Sequence, residues 1–270
     1  MADTVSNDSL NVVLSRDELL LMLNILEAEG LPGLDADPLG NMSSDQRALA
    51  LAVALRGLRA RGLAQQDEDG QIKVHSDLLE IVAACAYSTG AVFAYHWPIG
   101  GETPRRYFGH LRQEIVVAHT RLDEVLHLFA RLASLAHLVD SVLAACSFSA
   151  ETRNDLTLEL TGAQFSDVRQ LAADGDGEEA LSTLAELGAD ETAARSLVET
   201  LSANPAISIL QVLAQPDPES VLKLDFTLVQ AGSSGWVMTP IAGDADPAQL
   251  LVRQMSRSQA AALLREALGA

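Results

Sequence analysis

Residues 10–26 read LNVVLSRDELLLMLNIL, and residues 156–172 read LTLELTGAQFSDVRQLA. These two stretches decide the fold. Each opens as a short strand, Leu10–Leu14 in one and Leu156–Leu160 in the other. Each then meets a capping box, Ser15-x-x-Glu18 and Thr161-x-x-Gln164, in which a hydroxyl and a carboxylate or amide satisfy backbone donors at a helix start. Beyond the box the apolar period becomes helical: Leu19, Met22, Leu23 and Leu26 in the first copy, Phe165, Val168 and Leu171 in the second. A shift of 146 residues places Leu10 on Leu156, Leu14 on Leu160, Ser15 on Thr161 and Glu18 on Gln164. Strand and helix phase agree at this register, although the two Leu pairs are the only identities.

Working outward, Gly30 and Pro32 end the first helix, and residues 33–42, GLDADPLGNM, read as a loop. Ser43 or Ser44 caps a second helix that runs to about Arg61 and stops at Gly62. Asp69-Gly70 signals a turn into a short strand. Residues 77–86 form a short apolar helix. Three strands follow, at 91–97, 105–111 and 114–118, the first two joined by the Gly/Pro-rich loop Pro98–Pro104. Apolar spacing through Leu122, Val125, Leu126, Phe129, Leu132, Leu135, Val139 and Val142 predicts one long helix over about 120–146, some 40 Å at 1.5 Å per residue. In the second half, short helices are expected at about 178–187 and 190–203. Strands are expected at 207–213, 221–230 and 235–240, and a helix or helical pair over 247–268.

Both halves therefore read as strand, capped helix, further helices, three antiparallel strands, helix. The fold class is α+β, with two related α/β halves in a pseudo-two-fold arrangement, an antiparallel sheet carrying packed helices, and a C-terminal helical segment. The halves are placed at 1–148 and 149–270, within one integrated globular unit. Two readings of the repeat stand: a fused duplication, or a chance recurrence of β–α units.

Composition narrows the function. The 270 residues are 48% hydrophobic but only 4% aromatic, so the core must be built mostly from Leu, Ala and Val. The net charge of −19 is spread along the chain. It repels nucleic-acid phosphates and anionic lipid, and it suits a partner with a basic or apolar surface. Residues 81–99 carry no charge, but Ser88, Thr89, Gly90, His96 and Pro98 interrupt them, so a buried helix–strand junction is read there and not a membrane span. The opening MADTVSNDSL has neither a basic region nor an apolar core, which reads as a cytoplasmic chain. Cys85 and Cys146 sit in small apolar settings, AACAY and AACSF, and read as buried thiols.

No catalytic or metal constellation emerges. All six histidines lie between 75 and 137. Glu124-x-x-His127 has the spacing of a di-iron helix, but no second such motif accompanies it. Asp174, Asp176 and Glu178 imitate a calcium loop whose required glycine and final glutamate are replaced by Glu179 and Ala185. Phosphate-loop and nucleophile-elbow motifs are absent. The expectation is a non-enzyme that needs no cofactor or metal.

The opening LNVVLSRDELLLMLNIL, the later GLRARGL and the SDLLEIVAAC helix leading into hairpin strands resemble the EspG family, the cytosolic chaperones of ESX (type VII) secretion. The resemblance implies a chaperone that holds a helical-hairpin substrate of the PE/PPE type. It implies contact through a strand-connecting loop and the C-terminal helical region. In this chain those regions are the loop 98–104 and the helices expected after Pro247. The candidate partner-binding residues are then Trp97, Ile99, Arg105, Arg106, Leu250, Leu251 and Met255. Ordinary core packing is the competing account of Leu250, Leu251 and Met255. A non-catalytic small-ligand or regulatory module of two fused α/β halves is the second functional reading.

Overall fold

The computed structural model describes residues 11–34, 42–151, 155–217, 220–241 and 249–269. In chain order the elements are β1 (Asn11–Ser15), α1 (Arg16–Ile25), α2 (Ser44–Ala60), β2 (Ala64–Gln66), β3 (Ile72–Val74), α3 (Ser76–Ala86), β4 (Gly90–Trp97), β5 (Arg105–Arg112), β6 (Ile115–Arg121), β7 (Leu126–Leu132) and α4 (Leu135–Ala145). They continue with β8 (Thr157–Thr161), α5 (Gly162–Asp174), α6 (Gly177–Glu186), α7 (Glu191–Ser202), β9 (Ala206–Asp217), β10 (Ser220–Ala231), β11 (Ser234–Pro240), β12 (Gln249–Gln254) and α8 (Arg257–Ala267). The fold is α+β, with antiparallel strands and packed helices. Contacts divide the chain into two compact units: Met1–Ala91 with Tyr107–Leu138, and Val92–Arg106 with Val139–Ala270.

In the first unit the strands order β1-β7-β6-β5, with Leu14 opposite His127 and His119 opposite Phe129. The capping box closes at the β1–α1 corner: the Ser15 N–H donates to Glu18 Oε2 at 2.8 Å, and the Glu18 N–H donates to Ser15 Oγ at 3.2 Å. The other carboxylate oxygen of Glu18 accepts from Arg61 Nη2 at 2.5 Å, while Arg61 Nη1 donates to the Val13 carbonyl at 2.7 Å. Gly57 makes room for this bridge, since a Cβ there would lie 2.9 Å from Glu18 Oε1. A second capping box, Ser43 with Gln46, starts α2. Leu14, Leu19, Met22, Leu58, Leu78, Ile81, Val117 and Phe129 form the core under α1, α2 and α3.

In the second unit the strands order β4-β9-β10-β11-β12-β8. Thr161 and Gln164 close a third box, at 2.7 and 3.2 Å. Strands β1 and β8 share one burial pattern, with alternate residues buried from the second position, so the two β–α corners present the same face inward. Helices α5, α6 and α7 bury Val168, Leu184, Leu197 and Leu201 against Leu160, Val229, Trp236 and Val252. A buried polar network ties α7 to β11 and β12. Trp236 Nε1 donates to Thr200 Oγ1 at 3.3 Å, and Gln254 Nε2 donates to Ser196 Oγ at 2.9 Å and to Ser234 Oγ at 3.2 Å. Gly235 is required by close approach: a Cβ there would meet the Ala150 Cβ at 2.4 Å and Phe148 Cζ at 2.8 Å.

Two sequence expectations are corrected. The long helix over 120–146 is a hairpin, β6–β7, followed by the shorter α4. Asp123 makes the turn, its Oδ1 accepting from the N–H groups of Val125 and Leu126 at 2.8 and 2.7 Å. Runs such as LHLFARL satisfy both a helical and a strand period, and the Asp-led turn breaks the tie. The C-terminal region expected to be helical over 247–268 contains strand β12 before α8. Between them stands a fourth capping box, in which the Ser256 N–H donates to Gln259 Oε1 at 2.8 Å and the Gln259 N–H donates to Ser256 Oγ at 3.3 Å. That box resets the chain from strand to helix, as Ser15 and Thr161 do. Leu10 and Pro247 lie outside the described residues, as does most of the 33–42 loop.

Candidate partner-binding surface

Alternation along β4 sends Val92, Ala94 and His96 inward and leaves Phe93, Tyr95 and Trp97 half-buried on the other face. His96 anchors the strand. Its Nδ1 lies 2.9 Å from Ser208 Oγ on β9, and its Nε2 lies 3.4 Å from Ser147 Oγ just after α4. Burial lowers the imidazole pKa from its ordinary value, and the nearby Arg105 guanidinium lowers it further. Beyond Trp97 the chain turns sharply, with the Gly101 N–H donating to the Pro98 carbonyl at 2.8 Å. Gly100 has φ +69, a conformation that strains any other residue, and a Cβ on Gly101 would lie 2.8 Å from Pro98 Cγ. Glycine at both positions makes the turn, and Ile99 is left 64% exposed at its tip. Arg105 and Arg106 open β5 and are exposed. Trp97, Ile99, Arg105 and Arg106 therefore sit around one loop of the second unit.

The other three candidates lie elsewhere. Leu250 and Leu251 belong to strand β12, where Leu250 packs on the core of the second unit and Leu251, opposite Glu159, takes the alternate face. Met255 is buried. Strand β12 is four strand intervals from β4 within the unit's order, about 19 Å at ~4.8 Å per interval. The two groups do not form one patch.

A further apolar surface was missed by the sequence reading. In the first unit Met42, Leu49, Ala50 and Val53, with Asp17 and Gln46, line a groove of about 460 Å³ beside α2. Leu49 and Val53 are 63% and 53% exposed. Their i,i+4 spacing marks one face of α2, but a sequence alone does not say which apolar face is covered.

The residues singled out for chemistry are placed as follows. Cys85 and Cys146 are free and buried. Burial pushes the Cys85 thiol well above its ordinary value and Cys146 up to about 11, so neither forms a thiolate nucleophile near neutrality. Glu124 and His127 fall in the β6–β7 turn and on β7, not on a helix. Asp174 accepts from Gln170 Nε2 at 3.0 and 2.9 Å at the end of α5, where Gly175 is the left-handed cap. Among the described residues no cluster of three or more His, Cys, Asp or Glu side chains has a metal-holding arrangement. No described helix is long and apolar enough to cross a membrane.

In its fold the chain is similar to a solved structure of the Mycobacterium tuberculosis type VII secretion system chaperone EspG5 in complex with a PE25–PPE41 dimer. The match has a TM-score of 0.65 and 12% sequence identity over 96% of each chain. No protein-family model and no curated protein sequence matches the chain.

Proposed function

We propose that this protein is a cytoplasmic chaperone that holds a helical secretion substrate, a protein of the PE/PPE kind, without catalysing a reaction. The observation that carries this reading is the match along 96% of both chains to a chaperone solved with a PE–PPE dimer. The loop 98–104 is the contact region of this reading. Ile99 is its apolar anchor, Trp97 its aromatic support, and Arg105 and Arg106 a cationic pair on an otherwise acidic chain. An exposed aliphatic beside an aromatic and arginines is the composition of an interface hot spot. Leu251, on the face of β12 opposite the core, is a second contact point. The order strand, capped helix, two further helices, four strands, helix occurs twice along the chain, with the short hairpin β2–β3 inserted between the helices of the first copy. We read it as a duplication of one ancestral unit.

The test is co-expression with helical-hairpin PE–PPE pairs, followed by size-exclusion chromatography and calorimetry. A stable complex is expected. Ile99→Asp should weaken it at least tenfold, about 1.4 kcal/mol, while leaving the melting temperature unchanged. Failure of all such pairs to bind the wild-type chain would refute the reading. Full binding by Ile99→Asp would remove the loop from it.

A further inference from the structure

Three of the six histidines are buried side by side in the first unit. His110 lies on β5, His119 on β6 and His127 on β7, and all three are at most 2% exposed. The registers Phe108↔His119 and His119↔Phe129 put the cluster on one face of the three strands. His119 Nε2 is 2.9 Å from His127 Nδ1, so one ring must donate and the other accept. The His119 ring stacks on Phe129 at 4.5 Å and lies 5.9 Å from His110. Gly33 caps the stack, since a Cβ on it would meet Phe108 and His119 at 2.8 to 3.0 Å. Neither nitrogen of His110 has a hydrogen-bond partner.

The surroundings offer an extra proton no compensation. The charged side chains on the same strand face are all cations: Arg106 and Arg112 on β5, Arg121 on β6 opposite His127, and Arg131 on β7. Arg121 is held by the carbonyls of Asp123 and Glu124, and Arg112 lies over the Tyr87 ring. From α3, Glu80 pairs with Arg131 at 3.4 Å and Asp77 lies by His75 at 3.9 Å, while Cys85 is neutral. From α1, Glu18 is engaged by Arg61, beside Arg16 and Asp17 in the first turn. Strand β1 and residues 31–34 contribute no charge. The Pro32 carbonyl favours a charged His119, but burial and the two neighbouring imidazoles outweigh it.

We infer that this histidine stack is an acid-sensitive lock on the first unit: protons enter it only as the unit opens, so mild acid opens the first unit before the second. Burial holds His110 down to about 3, against an ordinary 6.5, and holds His119 well below its ordinary value. The stabilisation this implies is complete above pH 6.5 and is lost as the pH falls from there toward 3, because the opened chain binds protons that the closed unit excludes. At pH 5, His110 alone lowers the closed-to-open ratio about 30-fold, and His119 adds to this. In the second unit burial and Arg105 lower the buried His96 too, but a hydroxyl at each of its ring nitrogens can accept from an imidazolium, whereas His110 has no acceptor at either nitrogen.

The experiment is hydrogen–deuterium exchange of the full chain from pH 8 to pH 5, corrected for intrinsic rates and above the range in which ordinary carboxylates titrate. Peptides from 107–132 should lose at least about 30-fold in protection, and those from 157–172 and 206–217 should change far less. Parallel loss in both units, or unchanged protection in 107–132, would overturn the lock. His110→Leu should remove about 30-fold of the pH dependence. Imidazole NMR of the wild type gives the same answer without a variant: both rings should stay neutral in the folded protein at pH 5. Protonation of His110 or His119 between pH 6 and 7 without loss of protection would sink the idea.

Discussion

Glu18 is the side chain at which local and tertiary structure meet, and its removal has a definite cost. In Glu18→Ala the Ser15 N–H loses its acceptor, and Arg61 loses a charge-assisted partner at 2.5 Å. The capping half costs about 1 kcal/mol. A charge-assisted hydrogen bond contributes about 1.5–3 kcal/mol when buried. The Arg61 side chain is 41% exposed against 10% for Glu18, so solvent screening brings that share down to about 1–1.5 kcal/mol. The total is about 2–2.5 kcal/mol. Gln164 supplies an internal control, because it makes the same capping contact in the second unit and, among the described residues, no cation joins it. Gln164→Ala should therefore cost only about 1 kcal/mol. Urea denaturation followed by exchange protection in each unit measures both, and the Glu18→Ala, Arg61→Ala cycle isolates the bridge. Equal costs for the two single variants, with a coupling under about 0.3 kcal/mol, would refute the view that Arg61 adds stability to the corner.

Two further outcomes follow from packing. Gly235→Ala should destabilise the second unit by about 2–3 kcal/mol, because its Cβ would lie 2.4 Å from that of Ala150 and neither backbone is free to yield; thermal melting checks it. Cys85 and Cys146 should resist iodoacetamide in the folded protein at pH 8 and react fully in urea, since burial keeps both thiols protonated. Rapid labelling of either under native conditions would contradict their placement.

The corners of this fold were legible in its sequence because they are local. The boxes at Ser15, Ser43 and Thr161 need only four residues each to be recognised, and the structure places a helix start at all three. The box at Ser256 was equally readable, and attention to it separates β12 from α8. What the sequence hid was a choice between periods. Residues 115–132 fit a helix by the spacing of Leu122, Val125, Leu126 and Phe129, and fit a hairpin by alternation; the Asp123 turn and pairing with β1 and β5 decide it. The histidine stack is hidden for the same reason: the expected helix carries His127 away from His110 and His119, whereas on adjacent strands the three stand side by side. Around the candidate surface, Ile99 and its flanking glycines were legible from the Gly/Pro-rich loop. The separation of Leu250 and Leu251 from that loop depends on strand order, which no local pattern carries.

The first strand has a long wait for its neighbour. Asn11 pairs with Ala130 on β7, 119 residues further along. At ribosomal speeds of about 5–20 residues per second, that partner emerges roughly 6–24 s after β1 does. A short strand with open hydrogen-bonding edges is a hazard to a nascent chain over such an interval. Arg61 arrives much sooner, and through the Val13 carbonyl and Glu18 it gives the waiting corner a temporary hold. The same contact that adds a modest increment to the finished fold thus acts as a guardian of the N-terminal segment during synthesis.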